Sequence, residues 1–310
     1  MSAFDLTTIT LAQGVDAALA LVPAAPGVGQ ILADGERNLV VGRPANLRKW
    51  TAGHLGRARL PKAVPGKLPP RPPTDLTPIA TAVAFAVTTS PFAQRLAYER
   101  VMARYVSLSK RRDLKRPAFL RLAPDGIGYP HLLVQSSPEG PEVFGPFRDT
   151  RAATRARDAL YKHFRVRPCD FDFKPPIGLS DGLAADVARV LSGAGGVVEV
   201  PAWVGRGDGR SLVVDRSRAG LELFPIAGGS VIDEAVVTAM PDTLERAIEP
   251  LVSTVPAAEA IVRPDDTPWL NAWRHGKRTG VEIPIAASDR ASDIAARLRH
   301  EMEKAFTSSK

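Results

Sequence analysis

Residues 26–50 read PGVGQILADGERNLVVGRPANLRKW. The run predicts a β-hairpin, because Gly27–Leu32 and Asn38–Val41 are apolar stretches on either side of Asp34-Gly35, a pair that accepts the backbone angles of a tight turn. A basic segment then leads from Gly42 into a helix-like Asn46-Leu47-Arg48-Lys49.

Upstream, Ile9–Val22 is rich in Ala and Leu and predicts one short helix, ended by Pro23 and Pro26. Downstream, LPKAVPGKLPPRPPTDLTP at 60–78 holds too many prolines for a ladder or a helix and reads as an extended connection on the surface. Ala80–Thr88 is β-branched and apolar enough for a buried strand. Ser90-Pro91 opens a helix expected over Pro91–Tyr105. Phe92, Leu96, Glu99 and Met102 recur there at helical spacing, which sets Glu99 on or beside the inward face. A carboxylate in that place requires a partner, since an unpaired buried charge is costly. Strands are expected at Ala118–Leu122 and His131–Gln135. Phe144-Gly145-Pro146-Phe147 then leads into an arginine-rich helix over Thr150–Phe164. Ala153, Ala156, Leu160 and Phe164 form its buried stripe, leaving Arg151, Arg155, Arg157 and Lys162 for solvent or a ligand.

The pattern changes after Phe171–Pro176. A helix over Asp181–Leu191, strands at Val197–Val204, Ser211–Val214 and Leu221–Pro225, a helix over Asp233–Leu251 broken at Pro241, and a last helix over Asp289–Phe306 make a second α+β unit. The fold class expected is therefore α+β: a small mixed or antiparallel sheet flanked by helices, followed by a second α+β domain. The boundaries expected are 1–115 with the Pro-rich insertion 60–78, then 116–176 carrying the basic helix, then 177–310.

Charge divides the chain in the same sense. Residues 1–180 carry 26 Lys+Arg against 14 Asp+Glu, whereas 181–310 carry 15 against 19. A basic half of this kind suits a phosphate backbone, where each neutralised phosphate releases counterions; a solvated basic surface is the alternative. Cys169 is the single cysteine, so an internal disulfide and a cysteine-based zinc site are excluded. The histidines are scattered, with no pair at metal-ligand spacing. Gly193–Gly196 and Gly205–Gly209 lack the spacing of a phosphate loop and read as turns. No long uncharged apolar run or secretory layout is present, and the expected location is cytoplasmic.

Four segments, taken in order, resemble the GIY-YIG nuclease domain as it occurs in the UvrC family, the incising subunit of bacterial nucleotide excision repair. They are ALALVPAAPGVGQIL, NLVVGRPANLRKW, AFAVTTSPFAQRLAYERVMARY and FGPFRDTRAATRARDALYKHFRVRPC. The last is the most specific, through its Phe-Gly-Pro and its closing Arg-any-Cys. Together they span roughly residues 17–170, and the back half lies outside the resemblance. Hydrolysis in that family is thought to use a water activated near a tyrosine, a cation on the phosphate and a metal-holding glutamate, so the resemblance implies Mg2+ or Mn2+ wherever activity persists. The two motif tyrosines map onto Gly29 and Val40, the following lysine onto Arg43, the catalytic arginine onto Trp50 and a later tyrosine onto His54. Glu99 keeps the metal-ligand identity, and Arg111 stands where an asparagine is usual.

The substitutions predict little or no nuclease activity. A UvrC-like, repair-related protein that binds the DNA backbone is the expected function, its contacts drawn from Arg43, Arg48, Lys49, Arg100, Arg104, Arg111, Arg151 and Arg155. A rearranged catalytic site built on Glu99, Arg43, Arg48 and His54 is the enzymatic alternative, and Glu99 paired with Arg95 or Arg43 competes with Glu99 as a metal ligand. A third possibility is a protein-interaction scaffold recruiting repair-complex proteins through the acidic back half.

Overall fold

A computed structural model describes residues 5–57, 74–107, 110–111, 114, 116–124, 130–137, 140, 142–164, 181–191, 210–217, 219–227, 229–232, 236–254, 266–274, 280–286 and 288–307. Most of the Pro-rich insertion, the strand expected at Val197–Val204, both glycine-rich turns and Cys169 lie outside these residues. The fold is α+β, and its chain divides into two compact units, residues 1–110 with 215–220, and 111–214 with 221–310.

The first unit is built on the expected hairpin. Strands β2 (Gly27–Ala33) and β3 (Arg37–Gly42) flank a single turn at Asp34–Glu36, in which Gly35 takes φ +67. The N-terminal expectation is corrected: Thr7–Thr10 is a strand, β1, and only Val15–Leu21 forms a helix, α1. Three threonines and Ile9 are β-branched, which disfavours helix, and strand β4 (Ala82–Val87) offers them a ladder running from Thr7↔Phe85 to Thr10↔Ala82. The antiparallel sheet has the order β1-β4-β2-β3.

Helix α2 (Leu47–His54) follows β3, and helix α3 (Pro91–Tyr105) follows β4. They cover opposite faces, as strand parity requires. Ile31, Val83 and Phe85 share a cluster with Leu47, Leu55, Val40 and Trp50, while Val28 and Val41, one residue out of phase, pack with Ala97, Val101 and Tyr98 of α3. Both helices are well capped. The Asn46 side chain accepts from the Lys49 amide at 2.9 Å; at α3, Ser90 Oγ accepts from Ala93 N at 3.2 Å and Asp215 Oδ2 from Phe92 N at 2.8 Å.

In the second unit, strands β5 (Ala118–Pro124), β6 (Pro130–Gln135) and β7 (Val143–Phe147) form a sheet in the order β6-β5-β7. Helix α4 (Thr150–His163) and helix α5 (Asp181–Leu191) close its core: Ala153, Ala156 and Leu160 meet Leu120, Leu122, Leu132 and Phe144, and Val187 and Val190 join the same cluster. Strands β8 (Arg210–Ser217), β9 (Gly220–Ala227), β10 (Ser230–Val231), β11 (Val237–Ala239) and β12 (Val281–Ile285) make another sheet, packed by helices α6 (Leu244–Thr254) and α8 (Ala291–Thr307). The helix expected over Asp233–Leu251 is thereby corrected. Val237–Ala239 pairs with Leu221–Leu223, since its β-branched residues fit the open flank of β9, and helix begins only at Leu244. Helix α7 (Asp266–Arg274) is anchored by buried polar groups: Asp266 accepts from Val231 N and Trp269 Nε1, both at 3.1 Å, and Asn271 Nδ2 donates to Phe147 O at 3.1 Å.

No helix among the described residues is long and apolar enough to cross a membrane.

Candidate functional site

Two glycines face each other across the hairpin, Gly29 on β2 and Gly42 on β3. The indole of Trp50 spans them. A Cβ at Gly29 would stand 2.6 Å from Trp50 Cζ3, and one at Gly42 would stand 2.7 Å from both Cε2 and Nε1. No side chain beyond hydrogen fits at either place while the ring is there. Local anchoring of α2 explains the fit: the amides of Leu47 and Arg48 donate to Ala25 O and Pro23 O at 2.9 and 3.1 Å, which fixes the start of the helix beside the entry to β2. Trp50 then falls one turn along, directly over the glycine pair.

The positions that map onto the tyrosines and arginine of the resembling family are thus joined in one apolar assembly. Val40 lies opposite Ile31 and on the same face as Gly29 and Gly42, within the cluster that holds Leu47, Leu55 and Trp50. The described residues at these positions present neither a phenol nor a guanidinium, and the aromatic ring over them comes from helix α2. His54 meets the indole edge-on, with ring centroids 4.9 Å apart at 65°. Its imidazole is hydrogen-bonded to the Thr74 backbone, and burial pulls its pKa below the ordinary histidine value, partly opposed by that bond. Leu76 N also donates to His54 O at 2.8 Å, so the returning chain at 74–76 closes over the end of α2.

Arg48 belongs to this side of the sheet, but its head group is engaged with backbone. Nε donates to Val22 O at 2.7 Å and the guanidinium also reaches Ala20 O at 3.5 Å, which satisfies carbonyls at the end of α1. Arg43 lies elsewhere, exposed, with its guanidinium 5.7 Å from the centre of the Tyr98 ring on α3. Gln94 secures that helix by donating to Gly27 O and Pro44 O at 2.9 and 2.8 Å.

Glu99 is buried, at 4% exposure, and Arg95 Nε lies 2.6 Å from its Oε1. It is two positions from both Ala97 and Val101, the residues that pack on the sheet, and so projects from the other side of α3. The sheet and the helix both stand between this carboxylate and the Gly29–Gly42–Trp50 assembly. Of the two pairings the sequence leaves open, the structure forms the one with Arg95. Among the described residues no group of three or more His, Cys, Asp or Glu side chains is arranged to hold a metal ion.

The remaining expected contacts divide by exposure. Lys49 on α2, Arg104 in the last turn of α3, and Arg151 and Arg155 on α4 are exposed; Arg100 is half-buried; Arg111, at 7% exposure, is buried. A buried guanidinium is not placed to meet a phosphate backbone. Sequence reasoning registered Trp50 as the loss of an arginine and missed it as the occupant of a site. The pattern that carries this is the pair of glycines at 29 and 42, brought opposite each other across a bulge that gives β3 one extra residue, with a tryptophan one turn into the helix that follows.

Comparison of the chain with models of known protein families, with curated proteins and with solved structures gives no match.

Proposed function

We propose that this protein carries a degenerate GIY-YIG-like domain of the UvrC type that binds the DNA backbone and does not cut it. The observation that supports this most directly is the Trp50 indole lying on Gly29 and Gly42, in the place where the resemblance implies a nucleophile-activating phenol and a phosphate-binding cation. Phosphodiester hydrolysis needs charge on the attacking and leaving oxygens to be stabilised, and an indole on two glycines supplies neither a base nor a cation. The hairpin, the helix after it and a strand that returns to pair with the first hairpin strand accord with the resemblance. The excess of cations over residues 1–180 supports the nucleic-acid partner. Within this reading the repair context, the cytoplasmic location and any repair-complex partner follow from the resemblance.

The test has two arms. The protein is incubated with nicked, bubble and branched DNA in Mg2+ or Mn2+, and binding of the same DNAs is measured from low to moderate salt. The expected outcome is salt-sensitive binding without cleavage. Cleavage that disappears in Glu99→Gln would overturn the non-hydrolytic reading, and undetectable affinity at low salt would overturn the binding reading.

A further inference from the structure

Helix α4 presents two opposite faces of different chemistry. Ala153, Ala156 and Leu160 are buried in the core beneath it, whereas Arg151, Arg155 and Lys162 are exposed. At 100° per residue these three cations fall within about 40° of arc, and at 1.5 Å per residue they extend over roughly 17 Å. Arg148, exposed just before the helix, adds a fourth at its leading end.

Several other surface cations are held by a carboxylate. Arg57 is paired with Asp16, Arg189 with Asp186, Arg297 with Asp289 and Lys304 with Glu301. Among the described residues, Arg148, Arg151, Arg155 and Lys162 have no ion pair. The acid nearest to them on the helix face, Asp158, is engaged by Arg157 at 2.9 Å, and Asp149 accepts from Ala152 N as the helix cap at 2.9 Å. Local rules are also broken here. Arg151 stands in the first turn, at the positive end of the helix dipole, and Arg151 and Arg155 form a like-charged pair four residues apart; each arrangement destabilises an isolated helix. Unrelieved local cost at a surface marks a place where a ligand supplies the compensation.

We infer that this face of α4 is the principal phosphate-gripping element of the protein and that its partner is the backbone of double-stranded DNA, an inference that rests on the nucleic-acid reading above. The face is a narrow line of cations with one carboxylate in it, Asp158, which Arg157 holds. It carries no exposed large hydrophobic residue of the kind that anchors a protein partner; among the described residues of this unit the exposed ones are Leu133 and Met240. It also lacks an exposed aromatic residue on which unstacked bases could lie: Tyr161 is half-buried, with its hydroxyl accepting from Leu132 N at 3.1 Å. A line of point cations without aromatic or apolar anchors fits regularly spaced phosphates, and phosphate contacts of this kind carry no base preference.

Each duplex phosphate neutralised contributes about 0.9 to the slope of log K against log salt, so four contacts contribute about 3.6. Their share alone weakens binding about 150-fold between 50 and 200 mM salt. The experiment titrates the full-length protein against a fluorescent mixed-sequence duplex of about 25 base pairs over that range, reading anisotropy. Arg148→Gln/Arg151→Gln/Arg155→Gln/Lys162→Gln is compared with Arg297→Gln/Lys304→Gln, and circular dichroism and melting verify that both variants are folded. The expected result is a slope smaller by about 3.6 in the α4 variant alone, equally for shuffled duplex sequences. Wild-type salt-dependent binding that the α4 variant retains would overturn this inference and leave the nucleic-acid reading standing. Absence of wild-type binding at 50 mM would overturn both. Tighter binding to a single strand of the same length would overturn the duplex assignment.

Discussion

Placing an alanine at position 29 separates steric from chemical roles of the Trp50 stack. In the native protein the new methyl would stand 2.6 Å from Trp50 Cζ3, so either the indole or the strand must shift. Overpacking of this kind costs about 1–3 kcal/mol. Trp50→Ala alone removes a half-buried ring, for which about 2 kcal/mol is reasonable, below the 3–5 of a fully buried aromatic. With the ring gone only Leu47 Cδ2, at 3.3 Å, still crowds the methyl, and that flexible end can give into the space the indole leaves; the sign at position 29 then reverses, and Gly29→Ala relieves the conformational penalty of glycine inside a strand, a gain of about 0.5 kcal/mol. The coupling between the two sites is therefore about 2.5 kcal/mol, far above the few tenths expected for independent positions. Because the chain has two units, a local measurement is preferable to global unfolding. Amide hydrogen exchange over Gly27–Ala33 and Arg37–Gly42 reports it directly, as a swing of about 70-fold in protection between the two backgrounds. Effects that simply add, with Gly29→Ala equally harmful with or without Trp50, would refute the stacking of the indole on the glycine pair.

Two further outcomes follow from buried charge. Arg274 binds Glu282 in a fork, at 2.8 Å from Nε and 2.5 Å from the terminal nitrogen, with the two side chains only 5% and 1% exposed, and Ser211 Oγ donates to the same carboxylate at 2.7 Å. Arg274→Met should cost about 3–5 kcal/mol in urea unfolding of the second unit, and adding Glu282→Leu should restore much of it; equal instability of single and double variants would count against the pair. The neutral form of His54 is favoured by burial, so its folded pKa lies below the ordinary 6.5. As pH falls below that value the unfolded chain takes up the proton first, and the stability present at neutral pH is lost progressively down to the folded pKa. Thermal melts of the wild type should therefore decline more steeply than those of His54→Gln as pH is lowered from neutrality; parallel curves would dissociate His54 from that decline.

The hairpin, α3 and α4 are legible because short-range rules suffice for each. Asp34-Gly35 between apolar runs, Ser90-Pro91 as a capped start and the Ala153-Ala156-Leu160 stripe all lie within one element. The failures involve long-range pairing. Thr7–Thr10 is drawn into the sheet by β4, more than seventy residues away, and Val237–Ala239 by the flank of β9, which outweighs the helical look of its neighbours. The candidate site divides in the same manner. Arg95 and Glu99 are four apart on one helix, so their ion pair is visible in the sequence. Arg48 to Val22 O, or Trp50 over Gly29 and Gly42, requires knowing how α2 docks on the hairpin, and that docking is set by backbone amides meeting Pro23 and Ala25 carbonyls, which no side-chain pattern announces.

The threonine-rich strand β1 has a protective consequence. Its partner β4, AVAFAV, is almost wholly apolar and buried over Val83–Ala86, whereas Thr7, Thr8 and Thr10 of β1 are exposed. A hydrophobic strand left at the border of a sheet is a template for self-association, and a short hydroxyl-lined strand laid along it blunts that hazard. Truncation up to Leu11 would bare that template, turning four modest residues into the difference between a dispersed protein and one that seeds aggregates.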